Sequence, residues 1–351
     1  MTTPYDWQHE FPLDPDICYL NHAAVAPWPK RAADAVSRFA QENARQGARD
    51  YPRWAKQETH LRQQLKQLVN APSVDDIALV KNTSEALSFV AQGINWQAGD
   101  EIITSDQEFP SNRIPWEALS SRGVNVRQIS RLGAACRTRK ILFCVDAIQT
   151  IGALPFDVQS IDCDFAMADG HKWLLGPEGL GVFYCRESVR DQLQLTQHGW
   201  HMVEAMGNYD LKQWQPASSA RRFEAGSPNT LAQHALSASL ELLLDTGMDR
   251  VGALLQQRVA YLITALQQTP GVRLLSPEAP ERRAGIVTFA IEGVDHPRLH
   301  RELMQSGIIC AQRGGGIRWS PHFYTTEDTL DQAVSQLQLL ISQQGDNSGS
   351  R

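Results

Sequence analysis

The sequence predicts an α/β fold: a mainly parallel sheet with helices on both faces, followed by a smaller α+β domain. From Ile77 to about Tyr184, short apolar runs alternate with helical stretches, which is typical of such a sheet. After Asn229 the pattern changes to long helices with a few separate strands. We therefore expect a large domain over residues 15–230 and a small domain over residues 231–344.

The composition and the ends of the chain limit the possible functions. The 351 residues carry a formal net charge of −6, so charge gives no case for binding nucleic acid or an anionic membrane. No apolar stretch approaches the roughly 18 residues of a membrane span, and the start lacks an export signal. The 6 cysteines lack CxxC spacing, which predicts reduced thiols in a cytoplasmic protein and no metal site. We expect residues 1–14 to pack on the small domain and the polar segment 345–351 to be disordered.

Lys172 is the most informative residue of the chain. It follows the apolar run Phe165–Ala168, and Gly170 and Gly176 on either side allow the backbone to approach a ligand closely. A lysine in this setting is well placed to form a Schiff base with a carbonyl cofactor. An ordinary surface lysine is the commoner case, but the neighbouring residues decide against it.

Asp146 ends a second apolar run, Ile141–Val145, earlier in the chain. This run is too short for a typical helix and predicts a buried parallel strand, whose carboxyl end is where open α/β sheets bind ligands. An aspartate and a lysine at strand ends are the pair that pyridoxal phosphate requires, because a buried carboxylate keeps the pyridine nitrogen protonated. Taken alone, such an aspartate is more often a cap or turn residue.

Four motifs, in this order, resemble those of the class V aminotransferase-like enzymes. This group includes cysteine desulfurases, kynureninases and isopenicillin N epimerase-like proteins. The motifs are Asp146-x-x-Gln149, His171-Lys172 with its Gly-Pro, Arg222–Asn229 and Ile317–Tyr324. The resemblance extends from about Tyr19 to the final helix, and it implies fold-type I, pyridoxal phosphate as the cofactor, an amino-acid substrate and a homodimer.

The resemblance also implies a set of cofactor-binding residues. Lys172 would form the Schiff base and move the substrate proton, and Phe109 would stack on the cofactor ring, where many relatives have histidine. The set is Asn82, Thr83, Ser84, Phe109, Asp146, Gln149, His171, Lys172, Gly226 and Ser227. In this set the turn at residues 82–84 would bind the phosphate at a helix amino end, although alone it is equally a plain helix cap. His171 would lie near the phosphate, and Gln149 would contact the phenolic oxygen.

Two further roles concern the substrate and the partner subunit. Arg318 would bind the α-carboxylate as a bidentate fork. The alternative is an arginine in a surface ion pair, but the glycine turn at residues 314–316 predicts that a strand follows, not an exposed helix face. Asn21 and His22 would line the substrate mouth, and a simple loop competes with that interpretation. The segment 226–227 would reach across the dimer interface to the partner's phosphate.

The chain is shorter than the family pattern after Ser130. Asp146 lies only 37 positions after Phe109, whereas the pattern needs roughly 40 more residues for another strand and helix. Here Ser130 leads directly into a predicted helix at residues 131–137. The absent strand would lie in the middle of the sheet, beside the strand that ends at Asp146.

This shortening leaves alternatives open. We expect the sheet to close so that Val124–Ile129 or its neighbour lies against Ile141–Val145, which would loosen the cofactor site. The chain is then either an enzyme acting on an amino acid or a degenerate homologue that binds the cofactor weakly. A cysteine desulfurase is a further alternative, but its only candidate nucleophile, Cys310, lies in an apolar run typical of a core cysteine.

Overall fold

The structure is a computed structural model that describes residues 7–105, 108–129, 141–210 and 212–348. The helices are α1 (Lys30–Gln46), α2 (Tyr51–Val69), α3 (Thr83–Gly93), α4 (Ile114–Glu117), α5 (Glu187–Arg190), α6 (Thr230–Thr246), α7 (Met248–Gln267), α8 (His296–Gln305) and α9 (Glu327–Ser348). The strands are β1 (Cys18–Tyr19), β2 (Ile77–Val80), β3 (Glu101–Ser105), β4 (Asn125–Ile129), β5 (Cys144–Asp146), β6 (Phe165–Asp169), β7 (Gly181–Cys185), β8 (Val272–Leu274), β9 (Val287–Ile291), β10 (Ile308–Ile309), β11 (Ala311–Arg313) and β12 (Gly316–Trp319). The predicted helix at residues 131–137 lies outside the described residues.

A four-stranded sheet in the order β2-β7-β6-β5 forms the centre of the large domain. β5 pairs in parallel with β6, whereas β7 runs antiparallel to both β6 and β2. β2, β5 and β6 therefore share one direction, and their carboxyl ends reach the same edge of the sheet. Every residue of β2, β6 and β7 is buried, because helices cover both faces. The predicted α/β fold is confirmed, with one antiparallel strand inside the sheet.

The expected closure of the sheet is wrong for the described residues. β3 and β4 pair in parallel with each other as a separate ribbon, and neither pairs with β5. Along the opening, Ile103 of β3 is 48% exposed and Ile141, just before β5, is 43% exposed. The ribbon keeps its own apolar packing, in which Val126 joins a cluster with the buried Trp116 and Phe89, and this packing holds it where it is. Water can reach the open edges, so their backbone groups are not left buried without partners.

A second apolar core lies mainly in the carboxy-terminal part of the chain, and Ala153 and Trp173 also belong to it. The antiparallel sheet β11-β12-β9-β8 packs with α7, α8 and α9, and β1 pairs in parallel with β10. α6 instead packs on α1 and α2, so the core of the large domain continues past the predicted boundary at residue 230. α9 extends to Ser348, into the segment predicted to be disordered.

The start of the described chain packs close to the end of β12. The ring centroids of Trp7 and Phe323 are 4.9 Å apart, and Phe11 stacks on Tyr324 with centroids 3.4 Å apart. These contacts hold the amino-terminal segment against residues that follow the small-domain sheet. Among the described helices, none is long and apolar enough to cross a membrane.

Candidate active site

A cavity of about 560 Å³ opens at the carboxyl edge of the central sheet. Its size is within the range of small-molecule sites. Its polar and charged lining residues are Asn82, Thr83, Ser84, Glu108, Ser111, Asp146, Gln149, Asp169, His171, Lys172, Arg313 and Arg318, and Ala23, Ala24, Phe109 and Ile148 complete it. A larger cavity of about 1130 Å³ lies among residues 198–215, but none of the predicted site residues lines it. We therefore take the cavity at the sheet edge as the candidate site.

A turn after β6 positions Lys172 in this cavity. The Leu175 amide donates to the Lys172 carbonyl at 3.0 Å, and the fully buried Leu175 has a φ of 60°. That backbone region is rare for leucine, and such strain is typical of functional sites. Gly152 packs against the turn so closely that an added Cβ atom would lie 2.4 Å from the Trp173 carbonyl oxygen. The local fold thus fixes the lysine at one place.

Burial favours the neutral, nucleophilic form of Lys172. Burial lowers the pKa of the Lys172 ammonium, Asp146 opposes this shift, and Arg318 and Arg313 add to it. A lysine must lose its proton before it attacks a carbonyl, so the lowered pKa suits covalent attachment of a cofactor.

Asp146 lies at the end of β5, at the same edge of the sheet. Its Oδ1 accepts the Ile148 amide at 3.1 Å, and burial, with a contribution from Glu108, raises the pKa of its carboxyl to about 6. A cation placed beside this carboxylate would stabilise its charged form. Gln149 is already partly engaged: its Oε1 accepts from the Trp173 indole at 2.7 Å, and its Nε2 donates to the Ala23 carbonyl at 3.2 Å. One N–H of this amide has no partner in these bonds and is available for a ligand oxygen.

The amino end of α3 supplies the predicted phosphate site. Asn82 caps the helix, with its Oδ1 accepting the Glu85 amide at 2.9 Å. The Thr83 hydroxyl is buried and has no hydrogen-bond partner among the described residues. Nearby, His171 Nδ1 lies 3.0 Å from Asp169 Oδ1, an ion-pair distance without hydrogen-bond alignment. An unpartnered hydroxyl at a helix amino end is suited to an anion such as a phosphate.

Phe109 extends from the β3–β4 ribbon towards Lys172. Its ring centroid is 5.8 Å from Lys172 Nζ and 4.5 Å from the guanidinium carbon of Arg313. The ring is 47% exposed, so it is available to stack on a flat ligand. The ribbon therefore delivers Phe109 to the cavity although it does not pair with β5.

Arg318 is a buried cation that lacks an anionic partner. It lies on β12, is 7% exposed, and forms no ion pair with a described residue. Burial lowers the pKa of its guanidinium, and Arg313 lowers it further. Burying an unpaired charge is costly, so such a residue is suited to an anionic ligand.

The structure does not bring four of the predicted residues into the cavity. His22 is fully buried: its Nδ1 is 2.8 Å from the Ser320 carbonyl and its Nε2 is 2.6 Å from the Tyr324 hydroxyl, and burial lowers its pKa to about 4. Asn21 forms a β-bridge with Ser320, and the lining begins at Ala23 and Ala24. The other two residues, Gly226 and Ser227, are exposed outside the cavity.

None of the described cysteines lines the cavity. Cys310 is buried, and burial raises the pKa of its thiol to about 12. Such a thiol is not ionised at neutral pH, which agrees with its prediction as a core cysteine.

A separate polar cluster has the residue types of a metal site. The ligand atoms of Glu58, His201 and Glu224 lie within 4.8 Å of one another. However, Arg62 donates to Glu224 through both Nη atoms at 2.6 Å and to Glu58 at 2.7 Å. The guanidinium already supplies the charge that these carboxylates need, so the cluster is a buried ion-pair network and gives no argument for a metal.

A family model described as Aminotransferase class-V matches residues 18–131 and 122–332. The chain belongs to this family. The two matched segments meet where the sequence is short. A probable cysteine desulfurase of Methanothermobacter thermautotrophicus is 27% identical over 387 residues, which cover 93% of this chain and 95% of the relative. That length exceeds the 351 residues of this chain, so the relative has residues without a counterpart here.

Solved structures support the same fold. A C-DES mutant with glycine covalently linked to its pyridoxal phosphate cofactor superposes with a TM-score of 0.86 at 23% identity, covering 96% of this chain and 99% of its own. The apo cysteine desulfurase of Thermococcus onnurineus gives a TM-score of 0.86 at 21% identity, covering 97% and 99%. The chain is thus a class V, fold-type I protein despite its shortened sheet.

Pyridoxal phosphate is the cofactor of this family, and the cavity fits it. The cofactor presents a phosphate, a pyridine nitrogen, a phenolic oxygen and an aldehyde, and each has a suitable group in the lining. The unpartnered Thr83 hydroxyl suits the phosphate, and the Asp146 carboxylate suits a protonated pyridine nitrogen. The free N–H of Gln149 suits the phenolic oxygen, and the Lys172 amine suits the aldehyde.

Sequence reasoning did not single out several lining residues. Glu108, Ser111 and Asp169 adjoin predicted site residues in the chain, so adjacency alone was a usable signal. Arg313 carried a stronger signal, because a two-glycine turn separates it from the strand that bears Arg318.

Proposed function

We propose that the chain is a pyridoxal phosphate enzyme that acts on an α-amino acid, with the cofactor on Lys172 and the substrate carboxylate on Arg318. The observation that carries this proposal is the unpaired, buried guanidinium of Arg318 in the cavity that also contains Lys172 and Asp146. A planar fork of N–H donors matches a carboxylate in a bidentate manner. The lysine, the aspartate and the arginine are then a complete set for an amino acid bound next to the cofactor.

Several lining residues have separate roles in the proposed reaction. When bound, pyridoxal phosphate withdraws electrons from the substrate α-carbon. Asp146 would keep the pyridine nitrogen protonated, and the amino end of α3 at Thr83 would hold the phosphate. Lys172 moves the proton at the α-carbon as a general base, a task for which its lowered pKa is suited. Phe109 covers the ring face and excludes water.

The side chains that line the cavity favour some classes of reaction over others. The described residues place no thiol in it, and the Cys310 thiol is buried with a pKa of about 12. This favours a transaminase or a lyase or epimerase that needs no enzyme thiol. A cysteine desulfurase is the second candidate, because a relative whose match covers 93% of this chain is named a probable cysteine desulfurase.

We also propose a cytoplasmic homodimer. Gly226 and Ser227 are exposed and lie outside their own cavity, which supports the idea that they contact the phosphate in the partner's site. Light scattering during size-exclusion chromatography tests the subunit number. A monomer that binds the cofactor with full occupancy would contradict this role for the segment.

An absorption spectrum and borohydride reduction test the cofactor assignment. The purified protein with added pyridoxal phosphate should absorb in the visible range, and reduction should attach the cofactor to the peptide that contains Lys172. Lys172→Ala should lose the attachment, while Lys81→Ala, at a lysine outside the lining, should keep it. Attachment to another lysine would refute the assignment, and no binding at all would favour the degenerate homologue.

Replacement of Arg318 tests the substrate assignment. Arg318→Lys keeps the charge but loses the fork, so amino-acid titrations should require higher concentrations while cofactor content stays the same. Identical titration curves for the two proteins would rule out this role.

A further inference from the structure

Arg313 is a second arginine in the cavity that the proposed function does not use. It lies at the end of β11, is exposed at the cavity mouth, and forms no ion pair with a described residue. Its guanidinium carbon is 4.5 Å from the Phe109 ring centroid, which holds the side chain over the aromatic lining. The electrostatic effect of Arg313 on the pKa values of Lys172 and Arg318 shows that its charge is felt inside the site.

The hairpin geometry puts both arginines on one face. Arg313 pairs with Gly316 and Ala311 pairs with Arg318, and residues two apart on a strand share a face. Arg313 and Arg318 are therefore diagonal neighbours, with roughly 7–8 Å between such positions in a sheet. The turn between them has positive φ at both glycines, 64° and 83°, which sets this two-residue register.

Glycine is required at residue 316, directly across the hairpin from Arg313. An added Cβ atom at Gly316 would lie 2.1 Å from the Phe289 carbonyl oxygen, so residue 316 cannot carry a side chain without a shift of the backbone. The residue across from Arg313 therefore has no side chain, and the backbone of β9 fills the place where one would begin. No side chain from residue 316 lies between Arg313 and Arg318.

Arg318 is buried in the cavity whereas Arg313 is exposed, and this difference indicates which part of the substrate each arginine would bind. Arg318 is buried beside the lysine, where the α-carboxylate of an amino acid must lie for its α-carbon to be reached. Arg313 is exposed at the mouth, where the substrate side chain would extend. The acidic residue next to Phe109 in the lining is Glu108, whose Oε2 accepts from Asn112 at 2.8 Å. It forms no ion pair with Arg313 among the described residues and leaves that cation available.

From this geometry we infer that Arg313 selects amino acids with a second acidic group on the side chain, of which aspartate is the smallest carboxylic example. The inference rests on the proposed function, because it takes Arg318 as the α-carboxylate ligand. The carboxylates of aspartate are joined through its α- and β-carbons, so one fork can hold each of them. A neutral side chain would leave Arg313 without a partner.

Binding titrations of the cofactor-loaded protein test this inference. The protein is titrated with L-aspartate and with L-asparagine, whose side chains differ in charge at nearly equal size. Isothermal titration calorimetry and the visible absorption spectrum measure the affinity for each. Aspartate should bind about threefold to fivefold more tightly, since an exposed charge pair contributes modestly. The preference should fall as salt is added, because Arg313 is exposed.

Variants assign the preference to one residue. Arg313→Gln should leave asparagine affinity unchanged and make the aspartate affinity equal to it within about 1.5-fold. Arg282→Gln, at an exposed arginine away from the cavity, should keep the full preference. Equal affinities in the unmodified protein would overturn the inference. So would equal losses for both amino acids, or lost cofactor, in Arg313→Gln. If no amino acid binds, the proposed function itself fails; if both bind equally, only the inference does.

Discussion

Replacing Arg318 by methionine should make the cofactor-free protein more stable while it abolishes amino-acid binding. Arg318 is 7% exposed, and its guanidinium has no anionic partner among the described residues. Arg313 adds repulsion on the same face of the hairpin. Methionine has a similar length and carries no charge that must be desolvated.

The size of the effect follows from the burial of the polar groups. A buried polar group without a partner costs roughly 1–3 kcal/mol. At about 2.1 cal/mol/K of unfolding entropy per residue, 1 kcal/mol changes the melting temperature of a chain this long by about 1–2 °C. We therefore expect Arg318→Met to raise the melting temperature of the cofactor-free protein by about 1–4 °C.

Thermal and urea unfolding of the cofactor-free proteins measure this gain. Arg282→Met, at an exposed position, is the matched control and should stay within about 0.5 kcal/mol of the unmodified protein. A loss of more than about 1 kcal/mol in Arg318→Met would show that Arg318 is paired in the ligand-free chain. Arg318 would then not need a ligand carboxylate as its partner.

Three other outcomes are expected. Burial raises the Asp146 pKa to about 6 from 3.8, so the folded, cofactor-free protein binds a proton more tightly than the unfolded chain does. The free energy of unfolding should therefore fall as pH rises from about 4 to about 6. For Asp146→Asn, urea unfolding at a series of pH values should show a weaker dependence of this free energy on pH. Cys310→Ala should cost about 1 kcal/mol of stability yet keep turnover, and lost turnover in a folded, cofactor-bound variant would favour the desulfurase. Inserting a relative's strand and helix after Ser130 should tighten cofactor binding in a fluorescence titration, whereas full occupancy and brisk turnover of the unmodified chain would show that the strand is dispensable.

The sequence by itself determined the fold class and most of the candidate site. Lys172 and Asp146 end apolar runs, and the direction of the strands brings such ends to one edge of the sheet. Asn82 and Thr83 follow β2, which runs the same way, so the phosphate turn arrives at that edge as well. The local sequence pattern was sufficient in these cases because residues that follow parallel strands lie next to one another at the same edge of the sheet.

Only the tertiary structure decided which side chains enter the cavity. His22 and Asn21 adjoin the lining in the chain, yet contacts with Ser320 on a distant segment turn them away. Arg313 enters because a hairpin places it diagonally from Arg318. Such outcomes depend on pairings between residues far apart in the chain, which local pattern does not contain.

The same reason explains the open sheet. The sequence showed that a strand is absent, and simple pairing rules predicted that the neighbouring strands would close together. In the structure, the packing of Val126 with Trp116 holds the β3–β4 ribbon in place, and Ile103 remains exposed along the opening. The position of the ribbon is determined by side-chain packing beneath it, because exposed strand edges can bond to water whereas displaced apolar side chains lose their contacts.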